Sequence, residues 1–241
     1  MPSTACVSFH KISIISRHLV YKVCKTILFQ RRIKPCVPKR ELAKPTMQTD
    51  SILSNIAKHI ILDETEIKYF LSLLELKELK KKDYLLKEGE PCTTFNYVNS
   101  GALRGFYRDR NDKEATIMFA VTDWWITDMP CFVNQSPAMI HIEAITESYI
   151  LQLTKDDIDS LFIRIPKFER YFRILMQNAY IREQLRVLQN LSLPAEVRYR
   201  NFLEKYPQIV QQVTLKNIAS YLGVTPEFLS AIRKVKKGQI S

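Results

Sequence analysis

The spacing of apolar positions changes along the chain, and each change marks an element. After Met47, Ile52, Leu53, Ile56 and Ala57 recur at helical intervals behind a cap at Asp50 or Ser51, which predicts a short helix. Asp63-Glu64-Thr65-Glu66 has capping-box spacing and leads into Ile67, Phe70, Leu71 and Leu74, so a second helix is expected over 64–75. The charged run KELKKK (77–82) reads as a solvated connection. From Asp83 to Leu153 the pattern becomes short and β-rich: DYLLK, FNYV, ALRGFYR, EATIMFA, IHIEAIT and YILQL, separated by Gly, Pro, Asn and Asp. Strands packed this closely predict an antiparallel β-roll or barrel. Its turns are expected at Glu88-Gly89-Glu90, Ser100-Gly101 and Arg110-Asn111-Asp112, where Gly and Asn accept positive φ.

Helical periodicity returns at Thr154. Thr154-Lys155-Asp156-Asp157 is a second capping box, and the acidic triple Asp156, Asp157 and Asp159 reads as charge matched to a helix N-terminus rather than as a metal cluster. Residues 167–191 contain neither Pro nor Gly and predict a helix roughly 37 Å long. Phe168, Tyr171, Phe172, Leu175, Ala179, Leu185 and Leu188 keep returning to one side of it, close to a heptad stripe. Such a rod needs a partner, and a second copy of the chain is favoured over burial against its own domain. Ser192-Leu193-Pro194 then opens a helix carrying Val197, Tyr199, Phe202 and Leu203, with an end at Tyr206-Pro207.

The stretch 213–237, VTLKNIASYLGVTPEFLSAIRKVKK, carries the chemistry. Thr214 can cap a helix that buries Leu215, Ile218, Ala219 and Leu222; Gly223 supplies the turn; Thr225 caps a second helix with Pro226 at its first position. Leu229 and Ile232 face back, and small Ala219 lets the helices cross closely. This is the whole helix-turn-helix spacing around one glycine. On the polar side stand Thr225, Pro226, Glu227, Ser230, Ala231, Arg233 and Lys234, with Lys236 and Lys237 beyond. Short polar groups near such a helix's N-terminus read base edges, and cations farther along neutralise phosphates. The same packing also occurs in helical hairpins that bind no DNA.

Composition narrows the picture less than it first suggests. The 241 residues are 46% hydrophobic and 25% charged, as in ordinary globular proteins. Of 36 basic and 25 acidic residues, ten basic and one acidic (Glu41) fall within 1–46, so the rest of the chain is nearly neutral. The net charge of +11 therefore mainly reports this leader. Three readings of it stay open: a transit peptide, a DNA- or membrane-surface arm, or sequence upstream of a start at Met47, the last favoured because regular patterning begins there. No run approaches the roughly 20 apolar residues of a membrane span. The five cysteines are odd in number and without a C-x-x-C pair, which fits a reducing cytoplasm and no zinc site. No catalytic or metal-binding constellation and no cofactor motif stands out, so an enzyme is not expected.

The order of elements resembles the regulators related to the cyclic-AMP receptor protein and the fumarate-nitrate reduction regulator, the Crp/Fnr family, over 47–241. Glu88-Gly89-Glu90 and Gly101 resemble that family's glycine turns, and IASYLGVTPEFLS its DNA-binding motif. Beyond the basic leader (1–46), the resemblance implies an α+β fold: a cyclic-nucleotide-binding-like antiparallel β-roll with flanking helices (47–163), a long dimerisation helix (164–193) and an all-α helix-turn-helix domain (194–241). It also implies a homodimer on double-stranded palindromic DNA, with a small-molecule effector and RNA polymerase as further partners and no membrane. Where nucleotide-binding members carry a Gly-Glu and an Arg-Ser pair, residues 122–144 hold neither Gly nor Arg, and no arginine occurs between Arg110 and Arg164. A cyclic phosphate would lack its bidentate partner, so cyclic-nucleotide binding is not expected. The cysteine cluster of iron–sulfur members is also missing. Trp124 and Trp125 are the weak candidates for an apolar effector pocket, against simple packing of the roll. Family members commonly place Arg where this chain has Pro226 and Ala231, so the operator should differ. A regulatory subunit acting through protein contacts without DNA remains the alternative reading.

Overall fold

Two short helices open the described chain: α1 (Asp50–Ala57) and α2 (Glu64–Ser72). The structure, a computed structural model, describes residues 49–238; the leader and the side chains from Lys234 onward lie outside the described residues. Asp63 caps α2 as expected, accepting from the N–H groups of Thr65 and Glu66 while Glu66 accepts from Asp63 N–H at 2.9 Å. The helix stops before 75 because the next residues are a strand. β1 (Glu75–Leu79) occupies part of the run expected to be a connection. Leu79 is buried, and β1 is the outer strand of its sheet, where Lys and Glu can face water.

Seven more strands follow: β2 (Tyr84–Leu86), β3 (Thr94–Ser100), β4 (Ala102–Arg108), β5 (Glu114–Val121), β6 (Trp125–Ile126), β7 (His141–Ala144) and β8 (Ser148–Thr154). They form two antiparallel four-stranded sheets, ordered β1-β8-β3-β6 and β2-β7-β4-β5. This is the expected β-roll. Gly101 makes the β3–β4 turn at φ +99°, and a Cβ there would meet Ser148 Oγ at 2.2 Å, so only glycine fits. The roll's interior is dense. Tyr97, Leu103, Ile142, Ile150, Leu151 and Leu153 are fully buried, and the rings of Phe95, Trp125, Phe132 and Phe172 pack together, Phe95 stacking on Trp125 at 4.8 Å. A short helix the pattern did not reveal, α3 (Met129–Asn134), closes this end.

The second capping box is present: Thr154 and Asp157 start α4 (Lys155–Arg164). The long helix, α5 (Lys167–Ser192), has the expected extent, but its apolar residues do not form one seam. Phe168, Tyr171 and Phe172 are consumed by the chain's own roll, with Phe70 stacked on Phe168 at 5.0 Å and Trp125 Nε1 donating to Tyr171 at 2.9 Å. Farther along, Tyr180, Ile181, Leu185, Val187, Leu188 and Leu191 are exposed, Leu191 by 83%. No helix among the described residues is long and apolar enough to cross a membrane.

Four helices complete the chain: α6 (Ala195–Lys205), α7 (Pro207–Gln212), α8 (Leu215–Leu222) and α9 (Pro226–Gly238). The helix expected to end at Tyr206-Pro207 does end there, but Pro207 also starts α7. These helices share a core with β5. Phe119, Val121 and Ala102 pack with Tyr199, Phe202, Ile209, Ile218, Ala219, Leu222 and Leu229. β5 is an outer strand, and its free edge is capped by side chains: Ser220 Oγ accepts from Thr116 N–H at 2.9 Å and donates to Glu114 O at 3.1 Å, while Arg186 Nη1 donates to Ile117 O at 2.8 Å.

Candidate nucleic-acid interface

Local sequence explains the helix-turn-helix bend. Thr214 Oγ1 accepts from Asn217 N–H at 3.3 Å and starts α8, whose Ile218, Ala219 and Leu222 are buried. Gly223 adopts the left-handed conformation, φ 68° and ψ 33°, and its N–H turns back onto Ser220 O. Val224 N–H donates to Ala219 O at 3.0 Å, completing the C-terminal cap. Thr225 Oγ1 then accepts from Phe228 N–H at 3.2 Å, and Pro226 begins α9. Leu229, with no exposed surface, pins α9 into the core that the C-terminal helices share with β5.

With that side buried, the opposite side of α9 faces out. Thr225, Glu227, Ala231 and Arg233 are exposed; Pro226 and Ser230 are half-buried. These are the residues the sequence places at a DNA surface, apart from Lys234, whose side chain lies outside the described residues. The structure adds Phe228, 44% exposed between Glu227 and Ser230. Nothing in the sequence pattern assigns this aromatic a role, and the rotation of the helix about buried Leu229 turns it outward.

Beside α9's first turn lies a cleft of about 600 Å³ between the β4–β5 hairpin and the helix-turn-helix bend, lined by Arg108, Asp112, Lys113, Lys216, Asn217 and Thr225 among others. Arg104 forms its inner wall. Its guanidinium donates to Glu143 and Glu114, each at 2.8 Å, reaches Asn217 at 3.5 Å and lies 4.1 Å from the Phe106 ring centre. Burial would raise the Glu114 carboxyl, but Arg104 and Arg108 outweigh it and hold the group below its ordinary range.

Trp124 and Trp125 line a recess of only about 30 Å³. Trp125 is locked in the aromatic cluster; Trp124 meets Tyr206 edge-on at 5.9 Å and carries the Arg182 guanidinium 5.0 Å from its ring centre. Within 122–144 the buried carboxylate of Asp128 accepts from the N–H groups of Met139 (2.7 Å) and Ile140 (3.2 Å), which ties the chain after α3 to the start of that helix.

Fold and site together define a cyclic-nucleotide-binding-type β-roll joined by a long helix to a helix-turn-helix. Residues 76–164 match the family model described as the cyclic nucleotide-binding domain. In its fold the chain is of the Crp/Fnr type. It is similar to the anaerobic regulatory protein of Pasteurella multocida, with 23% identity over 206 residues covering 80% of this chain and 75% of that protein. Among solved structures it is similar to FixK2 from Bradyrhizobium japonicum (TM-score 0.62, 15% identity, 69% of this chain and 85% of that one). It is likewise similar to a transcriptional regulator of the Crp/Fnr family from Eubacterium rectale (TM-score 0.58, 17% identity, 74% and 85%).

Proposed function

We propose that the protein is a transcription regulator that binds double-stranded DNA as a homodimer and reads an inverted repeat through α9. The carrying observation is the outward face of Glu227, Phe228, Ala231 and Arg233, set by burial of Leu229 on the other side. Glu227 accepts from cytosine N4, Ser230 is a tolerant contact, and Arg233 and Lys234 neutralise phosphates. The exposed apolar run Ile181, Leu185, Leu188 and Leu191 on α5, at three- and four-residue spacing, supports the dimer. Selection of bound fragments from random duplex DNA is the test. Inverted repeats with half-sites about one helical turn, roughly 34 Å, apart are the expected product; recovery of no enriched sequence, with no mobility shift at low salt, would refute the reading.

The roll's sensing chemistry differs from cyclic-nucleotide recognition. Its interior is filled by Phe95, Trp125, Phe132 and Phe172, and residues 122–144 offer no arginine to pair with a cyclic phosphate. Calorimetric titration with cyclic AMP should give no saturable heat.

A further inference from the structure

Four cations converge where the long helix meets the C-terminal helices. Arg182 and Arg186 reach from α5, Arg198 and Lys205 from α6, and together with Asn190 and Tyr221 they border a recess of about 40 Å³. A water needs roughly 10–15 Å³ by this measure, so the space holds on the order of three waters. That is the bulk of a tetrahedral oxyanion, not of a nucleotide. No carboxylate borders the recess. Glu183, which faces the adjoining space, pairs with Arg186 at 2.8 Å and stands 3.9 Å from Arg182; Arg198 and Lys205 have no ion-pair partner among the described residues.

The three arginines are held in place by their neighbours, while Lys205 reaches in from the exposed rim. Arg198 Nη1 donates to Asn190 Oδ1 at 2.7 Å and to Leu222 O at 2.6 Å, tying together α5, α6 and α8. Arg182 lies over Trp124, and Arg186 lies 5.2 Å from the ring centre of Tyr221. The Tyr221 phenol, pushed up to about 12 by burial, supplies no compensating charge at neutral pH. The Nε atoms of both Arg186 and Arg198 are buried without an acceptor. Several guanidinium groups share one carboxylate here, two of them with a buried Nε that lacks an acceptor, and a planar guanidinium fork matches a phosphate edge.

We propose that this recess binds a compact tetrahedral oxyanion, a phosphate group, linking the long helix to the C-terminal helices. The proposal does not depend on what the outer face of α9 contacts. The test is isothermal titration of the full chain, in buffer free of phosphate and sulfate, with orthophosphate and with phenyl phosphate. Saturable binding at one site per chain is expected, accompanied by a change in tryptophan emission because Arg182 sits over Trp124. Lys205→Gln should weaken it about tenfold. Arg198→Lys, which keeps a donor for Leu222 but loses the fork, should weaken it by at least as much. Arg110→Gln, on the β4–β5 hairpin, should leave it unchanged. Tighter binding of phenyl phosphate would mean that the group belongs to a larger metabolite; tighter orthophosphate would identify the free ion. No saturable heat with either probe, or binding indifferent to both Lys205→Gln and Arg198→Lys, overturns the proposal.

Discussion

Glu227 and Arg233 share the exposed side of α9 but are assigned different work. Removing a base acceptor relaxes discrimination at one position, whereas removing a phosphate contact weakens binding to every sequence. Glu227→Ala is therefore expected to cost about 1–3 kcal/mol of discrimination at a single base pair. Arg233→Gln, which removes one phosphate contact from each protomer of the proposed dimer, should instead flatten the dependence of log affinity on log salt by about 1.8. Equal losses on selected and random duplexes for Glu227→Ala would remove that residue from base reading. Glu114 makes a prediction of a different kind. Its carboxyl is depressed in the folded chain, so its stabilising contribution is full above its unfolded value, about 4.3, and is lost as pH falls through the lower folded value. Protection of the Thr116 amide, whose N–H is held by Ser220, should fall relative to its intrinsic exchange rate in that acid range, and Glu114→Gln should remove this loss. An unchanged acid limb in the variant would mean that the carboxyl does not hold the hairpin.

Which elements could be read from the chain depended on how locally they are specified. Both capping boxes, the β-rich punctuation and the Gly223 bend lie within a few residues of their partners, and each was legible. β1 was not, because a charged outer strand and a solvated loop have the same composition; only pairing with β8 separates them. α7 was hidden by Pro207, which ends one helix and begins the next. The heptad-like pattern of α5 was real but divided: aromatic residues in its first half answer to the roll, and aliphatic residues in its second half remain exposed. That division sharpens the dimer prediction. Ile181→Glu with Leu188→Glu should leave the fold intact while converting the protein to monomer in sedimentation equilibrium, and affinity for an inverted repeat should fall at least about tenfold. A dimer surviving both substitutions would place the contact elsewhere.

In the whole molecule, the roll and the helix-turn-helix are joined through β5, a link the sequence could not disclose. Ser220 and Thr116 are 104 residues apart, and nothing in either neighbourhood marks them as partners. The hydroxyl does what a neighbouring strand would do, donating to one main-chain group and accepting from another. This has a cost for anyone dividing the protein. A fragment ending at Leu193 would leave Glu114 and Thr116 with unsatisfied main-chain groups and uncover the apolar surface of Phe119 and Val121. An open strand bordered by exposed apolar side chains is a template for copies of itself. Light scattering from that fragment should grow with concentration, where the intact chain stays clear: the helices proposed to meet an operator would then also be the guard that keeps the roll from adhering to its own kind.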